Sequence, residues 1–257
     1  MRKTNSKKQI LWVVLILAAL VAIGGMVVSN YWIATGTLEL LSPAGTVVFI
    51  DGARIASGVP ISGSEVKTQK RLSAGEHTII VASDAGFPWK KDLIISKDGV
   101  TRVHPFQVAK QIKGVRIPES DPEYGKLMSL IEAASVPSKV NPLTSRDGTT
   151  RIWVEQNIIY WELLKDAPLP LWCEKNVCDT PVAVMPTLSP INSLAFLNER
   201  NDVLVVSVGG KIIAIEADKR GAQNIAPILE GTAPRFLITD SNLFLIKDGR
   251  DLAEITL

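Results

Sequence analysis

The sequence predicts a mainly β protein: an N-terminal transmembrane helix, a small β-sandwich, and then a series of antiparallel β-meanders. Three observations predict it. A nineteen-residue run from Ile10 to Val28 carries no charge. From Gly36 onward, short apolar segments alternate with Gly, Pro and Asp-Gly turns. After residue 149 a strand–turn–strand pattern returns several times.

The apolar run comes first. Nineteen residues at 1.5 Å each make a helix of roughly 28 Å, about the thickness of a hydrocarbon core. Ser29, Asn30, Tyr31 and Trp32 follow where a membrane interface would lie. Arg2, Lys3, Lys7 and Lys8 all precede it, and no acidic residue occurs before Glu39. The positive-inside rule therefore keeps residues 1–9 in the cytoplasm, sets 10–32 across the bilayer and exports the remainder. A cleaved signal peptide is the alternative, but its apolar region is shorter, and Val27-Val28-Ser29 makes a weak cleavage site.

Charge excludes one class of function. Removing the four basic residues of the tail from the 28 in the chain leaves 24 against 26 acidic ones. The exported part is thus slightly acidic and lacks the basic face of a nucleic-acid binder.

From 36 to 108 the strands are "GTLELLS", "TVVFI", "EHTIIVAS", "PWKKDLIIS" and "VTRVHPFQV". Asp51-Gly52 and Lys97-Asp98-Gly99 supply hairpin turns. Five or so strands in about 70 residues describe a small sandwich. The order of its turns resembles the PEGA domain, a small β-sandwich module of bacterial and archaeal envelope proteins. The matching residues are Pro43 and Gly45, Asp51 and Gly52, Gly58 and Pro60, Gly75 and His77, and Gly86. Ala44 and Thr46 depart from the tetrapeptide that names the family. The resemblance implies extracytoplasmic binding or display and carries no catalytic residues with it.

Residues 109–148 read as a linker, rich in proline at 118, 122, 137 and 142. Asp121 and Pro122 suit the start of a short helix, with Leu127, Leu130 and Ile131 as its apolar stripe.

From 149 to 257, "RIWVEQNIIYWELL", "DVLVVSVGGKIIAIEAD" and "LFLIKDGRDLAEITL" each give two apolar strands about a turn. Aligning Ile158, Ile212 and Leu252 gives offsets of 54 and 40 residues, near the period of propeller blades. The stretch "SPINSLAFLNERNDVLVVSVGGKIIAIEADKRGAQN" is similar to a β-propeller blade of secreted and envelope proteins. Fewer than three blades fit in this length, whereas closed rings need about four. The expectation is an incomplete propeller whose last strand, "LAEITL", leaves an edge needing a partner or a cover.

Candidate chemistry is sparse. Cys173 and Cys178, the two cysteines of the chain, are spaced for a hairpin disulfide on the oxidising side of the membrane. Neither histidine lies near them in sequence to complete a structural zinc set. His77 and His104 are expected to be structural, with His77 bonding a neighbouring backbone group. No Gly-x-Ser-x-Gly elbow, Walker loop or dinucleotide-binding fingerprint occurs. Trp153, Trp161 and Trp172 cluster in the first meander, as a buried core or as an aromatic contact surface for sugars.

The sequence thus predicts a membrane-anchored extracytoplasmic binding or scaffolding protein of a prokaryotic envelope, not an enzyme and without a cofactor or metal. Its expected partners are the lipid bilayer, through residues 10–32, and a protein or cell-wall glycan. A glycan-binding surface protein and the outer sensory subunit of a membrane complex are the alternatives.

Overall fold

Two patterns of burial set the architecture: alternation on one group of strands, and continuous burial on a single central one. The computed structural model describes residues 34–256, apart from 57, 165, 174–177, 199 and 240–242, together with 16 and 18. The predicted span lies outside these but for Ile16 and Ala18. Among the described residues no helix is long and apolar enough to cross a membrane. The described residues are mainly β and form five four-stranded sheets.

Two sheets form the sandwich. One has the order β4 (Val59–Pro60), β5 (Glu65–Ser73), β1 (Thr35–Pro43), β8 (Val100–Val103). The other runs β3 (Ala53–Ile55), β2 (Val47–Ile50), β6 (Gly75–Ala82), β7 (Trp89–Ile95). Strand β1 buries every second residue, so Leu38 and Leu40 point inward and share one core with Ile79, Val81, Leu93 and Ile95. That alternation is the period-two signal the sequence carries.

Three meanders follow. The first is β10 (Leu143–Thr144) to β13 (Val182–Pro186), through β11 (Thr150–Glu155) and β12 (Ile158–Leu163). The second comprises β14 (Ile191–Phe196), β15 (Val203–Val208), β16 (Lys211–Glu216) and β17 (Ile225–Glu230). "VLVVSV" in β15 is apolar without alternation because both faces are covered. Leu204 and Val206 pack against the first meander, whereas Val203 and Val205 join a core shared with the sandwich and the third meander.

The third meander departs from expectation. Its strands are β18 (Arg235–Ile238), β19 (Phe244–Asp248) and β20 (Asp251–Thr256), and its fourth is β9 (Lys113–Ile117), taken from the stretch read as linker. Three four-stranded meanders therefore exist where the length alone allowed fewer than three. The C-terminal strand has no open edge, because β9 pairs along it from Leu252↔Ile117 to Thr256↔Lys113. Helix α1 (Tyr124–Ala133) then covers this meander, with Ile131 buried against Leu245 and Leu252. Asp121 accepts the Glu123 N–H at 2.8 Å just ahead of it. Of the expected apolar stripe, Leu130 stays 46 % exposed.

Candidate functional site

The β7 and β8 edges of the sandwich meet one end of the second meander, and the most heavily bonded polar cluster lies at that seam. In β7, "WKKDL" alternates, so Trp89, Lys91 and Leu93 share the inward side. Lys91 is fully buried. An unpaired ammonium there would cost several kcal/mol, and this one is saturated. Its Nζ donates to Glu216 Oε1 at 2.9 Å, Asp218 Oδ2 at 3.0 Å and the Asp218 carbonyl at 2.7 Å. Three N–H groups thus meet three acceptors.

Glu216 is equally occupied. Its Oε1 also accepts the Asn224 backbone and amide N–H groups, both at 2.8 Å, and Oε2 accepts Trp89 Nε1 at 3.0 Å. Asn224 Oδ1 takes the Lys90 N–H at 2.8 Å. Arg220 pairs with Asp218 at 3.0 Å and donates to the Arg102 carbonyl at 2.6 Å. Burial would push the Asp218 carboxyl up, but Arg220 and Lys91 outweigh it and hold it below its ordinary value. The backbone closes in as well: a Cβ on Gly221, whose φ is +60°, would stand 2.1 Å from the Asp92 carbonyl. Arg200 adds a second clamp, paired with Asp202 at 2.6 Å and bonding the His104 carbonyl at 2.7 Å.

Chemically this arrangement holds modules together. Two cations and two carboxylates balance within it, and each Glu216 oxygen already accepts hydrogen bonds, so the cluster offers no free base. Among the described residues no group of three His, Cys, Asp or Glu side chains is placed to hold a metal.

Two clefts open beside the seam, one on either side of Trp172. The larger, about 600 Å³, is lined by Trp172, Cys173, Cys178, Asp179, Lys219 and Arg220, among others. The smaller, about 230 Å³, includes His104, Arg200 and Asp202. Cys173 and Cys178 are bonded to each other, their Cα atoms 4.9 Å apart.

The three tryptophans do not form one surface. Trp161 is fully buried and donates to the Asn201 carbonyl at 2.7 Å. Trp153 is 4 % exposed and stacks on Tyr160 with ring centroids 5.4 Å apart. Both are core, as large rings in a small β structure usually are. Only Trp172 reaches the clefts.

The turn residues are spread over the sandwich. Pro43 and Gly45 lie at the β1–β2 turn, which Thr46 closes by donating to the Pro43 carbonyl at 2.8 Å. Asp51 and Gly52 both have positive φ, 51° and 79°, as a tight two-residue hairpin requires. Gly58 lets the chain cross close to β5, since a Cβ there would stand 2.1 Å from the Lys67 carbonyl, and Pro60 follows in β4. Gly75 opens β6, and Gly86 bridges to Ala109. His77 Nδ1 lies 2.6 Å from Asp51 Oδ2, and its Nε2 is 2.9 Å from the Ser73 carbonyl. Both of these partners only accept and so favour the doubly protonated ring, while the Ser73 hydroxyl, 3.2 Å from Nε2, can bond either form. Burial pulls the imidazole down, but these bonds outweigh it and raise it above its ordinary value.

Sequence reasoning missed Lys91, Glu216 and Asp218. The available signal was a lysine at an inward position of β7, which demands a buried carboxylate.

No family model and no curated protein matches this chain. A solved structure from Bacteroides fragilis, described as a "putative membrane-associated protein of unknown function", aligns over 86 % of this chain and 98 % of its own. Its identity is 10 % and its TM-score 0.22. The site is therefore read from its own residues.

Proposed function

We propose that this chain is a membrane-anchored, extracytoplasmic binding or scaffolding protein of a prokaryotic envelope. The carrying observation is the saturated seam of Lys91, Glu216, Asp218 and Arg220. It uses buried charge to fix two modules to each other and leaves no acid–base pair free for catalysis. In this reading residues 10–32 are the anchor, and the PEGA-like sandwich begins at Thr35, directly above the bilayer. The blade-like meanders are then held out as a rigid head for a protein partner. The Cys173–Cys178 bond suits an oxidising compartment.

Thiol labelling tests the placement. In intact cells a membrane-impermeant maleimide should react with Cys173 and Cys178 only after an impermeant reductant. Labelling without reductant, or labelling that requires lysis, overturns the reading. A glycan-binding role is the second reading, supported by Trp172 standing between two clefts beside Asp179 and Asn201.

A further inference from the structure

A sandwich has two open sides, and here they are used differently. The β7 and β8 edges are closed by the seam. On the opposite side β3 and β4 end their sheets, and among the described residues nothing pairs beyond them. Between them runs a groove, in two connected parts of about 370 and 560 Å³ that share Arg54, Ile55, Ala56, Gly58 and Thr68.

The lining has a definite chemistry. Val59 and Ile61 are 71 % and 55 % exposed, with Ile55 partly covered beside them. Arg54, Lys67 and Lys70 line the larger part, and no carboxylate does. Lys67 is committed to Glu39 at 3.1 Å. Arg54 and Lys70 have no acidic partner among the described residues. The larger part of the groove therefore presents exposed apolar side chains beside unpaired positive charge.

The two edges are not equivalent. Strand β4 is blunted, being two residues long with Pro60 lacking an N–H. Strand β3 is not. Its two-residue hairpin makes Ile50–Ala53 and Val48–Ile55 the hydrogen-bonded pairs, so the Arg54 N–H and C=O point away from β2. A third strand laid there would bond Arg54 and alternate its side chains between the two faces of the sheet, one of them toward the groove.

We propose that this groove binds an extended segment of a partner protein, with alternating apolar and acidic residues, added as a strand along β3. The proposal rests on the reading of the chain as a protein-binding scaffold, but not on which side of the membrane it stands. The thiol labelling above reports the latter, so the two fail separately.

The test uses the purified full chain in lipid nanodiscs and a fluorescent eight-residue peptide of alternating glutamate and valine, with its lysine–valine counterpart. Fluorescence anisotropy should detect the glutamate peptide and not the lysine one. The Arg54→Glu, Lys70→Glu double variant, changed only at exposed positions, should weaken binding by about tenfold or more while keeping its melting temperature. Two further probes are N-methylated at the odd or at the even amides. Strand addition predicts that one isomer binds and the other fails, since only alternate amides face β3. Absence of binding, equal binding of the lysine peptide, or equal binding of both methylated isomers overturns the proposal.

Discussion

Asp51 serves two purposes at once. It takes the positive φ of a hairpin turn, and its carboxylate receives His77 Nδ1 and the Thr78 N–H at 3.0 Å. The bond to His77 is the first cause holding its carboxyl below the usual 3.8, and the imidazole in turn rises above its ordinary 6.5. A raised histidine stabilises fully below pH 6.5 and loses that contribution as pH climbs through its folded value. A depressed carboxylate stabilises above pH 3.8 and loses its contribution as pH falls through its folded value. The pair thus works best between about pH 4 and 6.5. His77→Gln should cost about 1 kcal/mol in that window, a modest figure because the Asp51 side chain is 51 % exposed. The difference from wild type, measured by urea melts, should shrink toward pH 9. A difference that stays flat with pH refutes the charged pair. His104 runs the other way, lowered first by burial and then by Arg200, so only the wild-type-minus-variant difference isolates His77. Turn residues such as Gly52 were legible because backbone sterics act within a few positions. The Lys91 partners were not, since Asp218 lies 127 positions along the chain.

At the scale of elements, the third meander depends on both ends of the blade region. Leu252 is fully buried beneath α1, so Leu252→Ala should destabilise by about 2–5 kcal/mol. Deleting residues 252–257 should cost more, because β9 loses its partner and α1 its seat. A truncated chain with an unchanged melting temperature shows the clasp to be dispensable. The long strands β1, β6 and β15 were readable from period and length. Strand β9 was not, because "KGVRI" offers only Val115 and Ile117 as apolar alternation, and its partner sits at the far end of the sequence. Strands of two or three residues, β3, β4 and β10, are too short for any periodicity to show. The tryptophan cluster was visible but its burial was not. Trp161 finds its acceptor on a loop 40 residues away.

Across the whole molecule, the seam makes sandwich and blades interdependent. Removing the ammonium by Lys91→Ala leaves Glu216 and Asp218 buried with Arg220 as the remaining cation of the cluster, which should cost about 3–5 kcal/mol. Calorimetry of wild type should give one transition spanning both modules, and the variant should separate it into two. Two transitions in wild type mean that the seam does not couple them.

The pairing of β9 with β20 also fixes an order of events during synthesis. Residues 113–117 leave the ribosome well before 251–256 exist, and chain growth at 5–20 residues per second separates them by roughly 7–30 s. Throughout that interval β9 is a strand without its neighbour, and α1 has no surface to cover. The first and second meanders can fold as they emerge, since their ladders join consecutive strands. The third closes only once residues 251–256 have emerged, so its formation lags behind that of the other two.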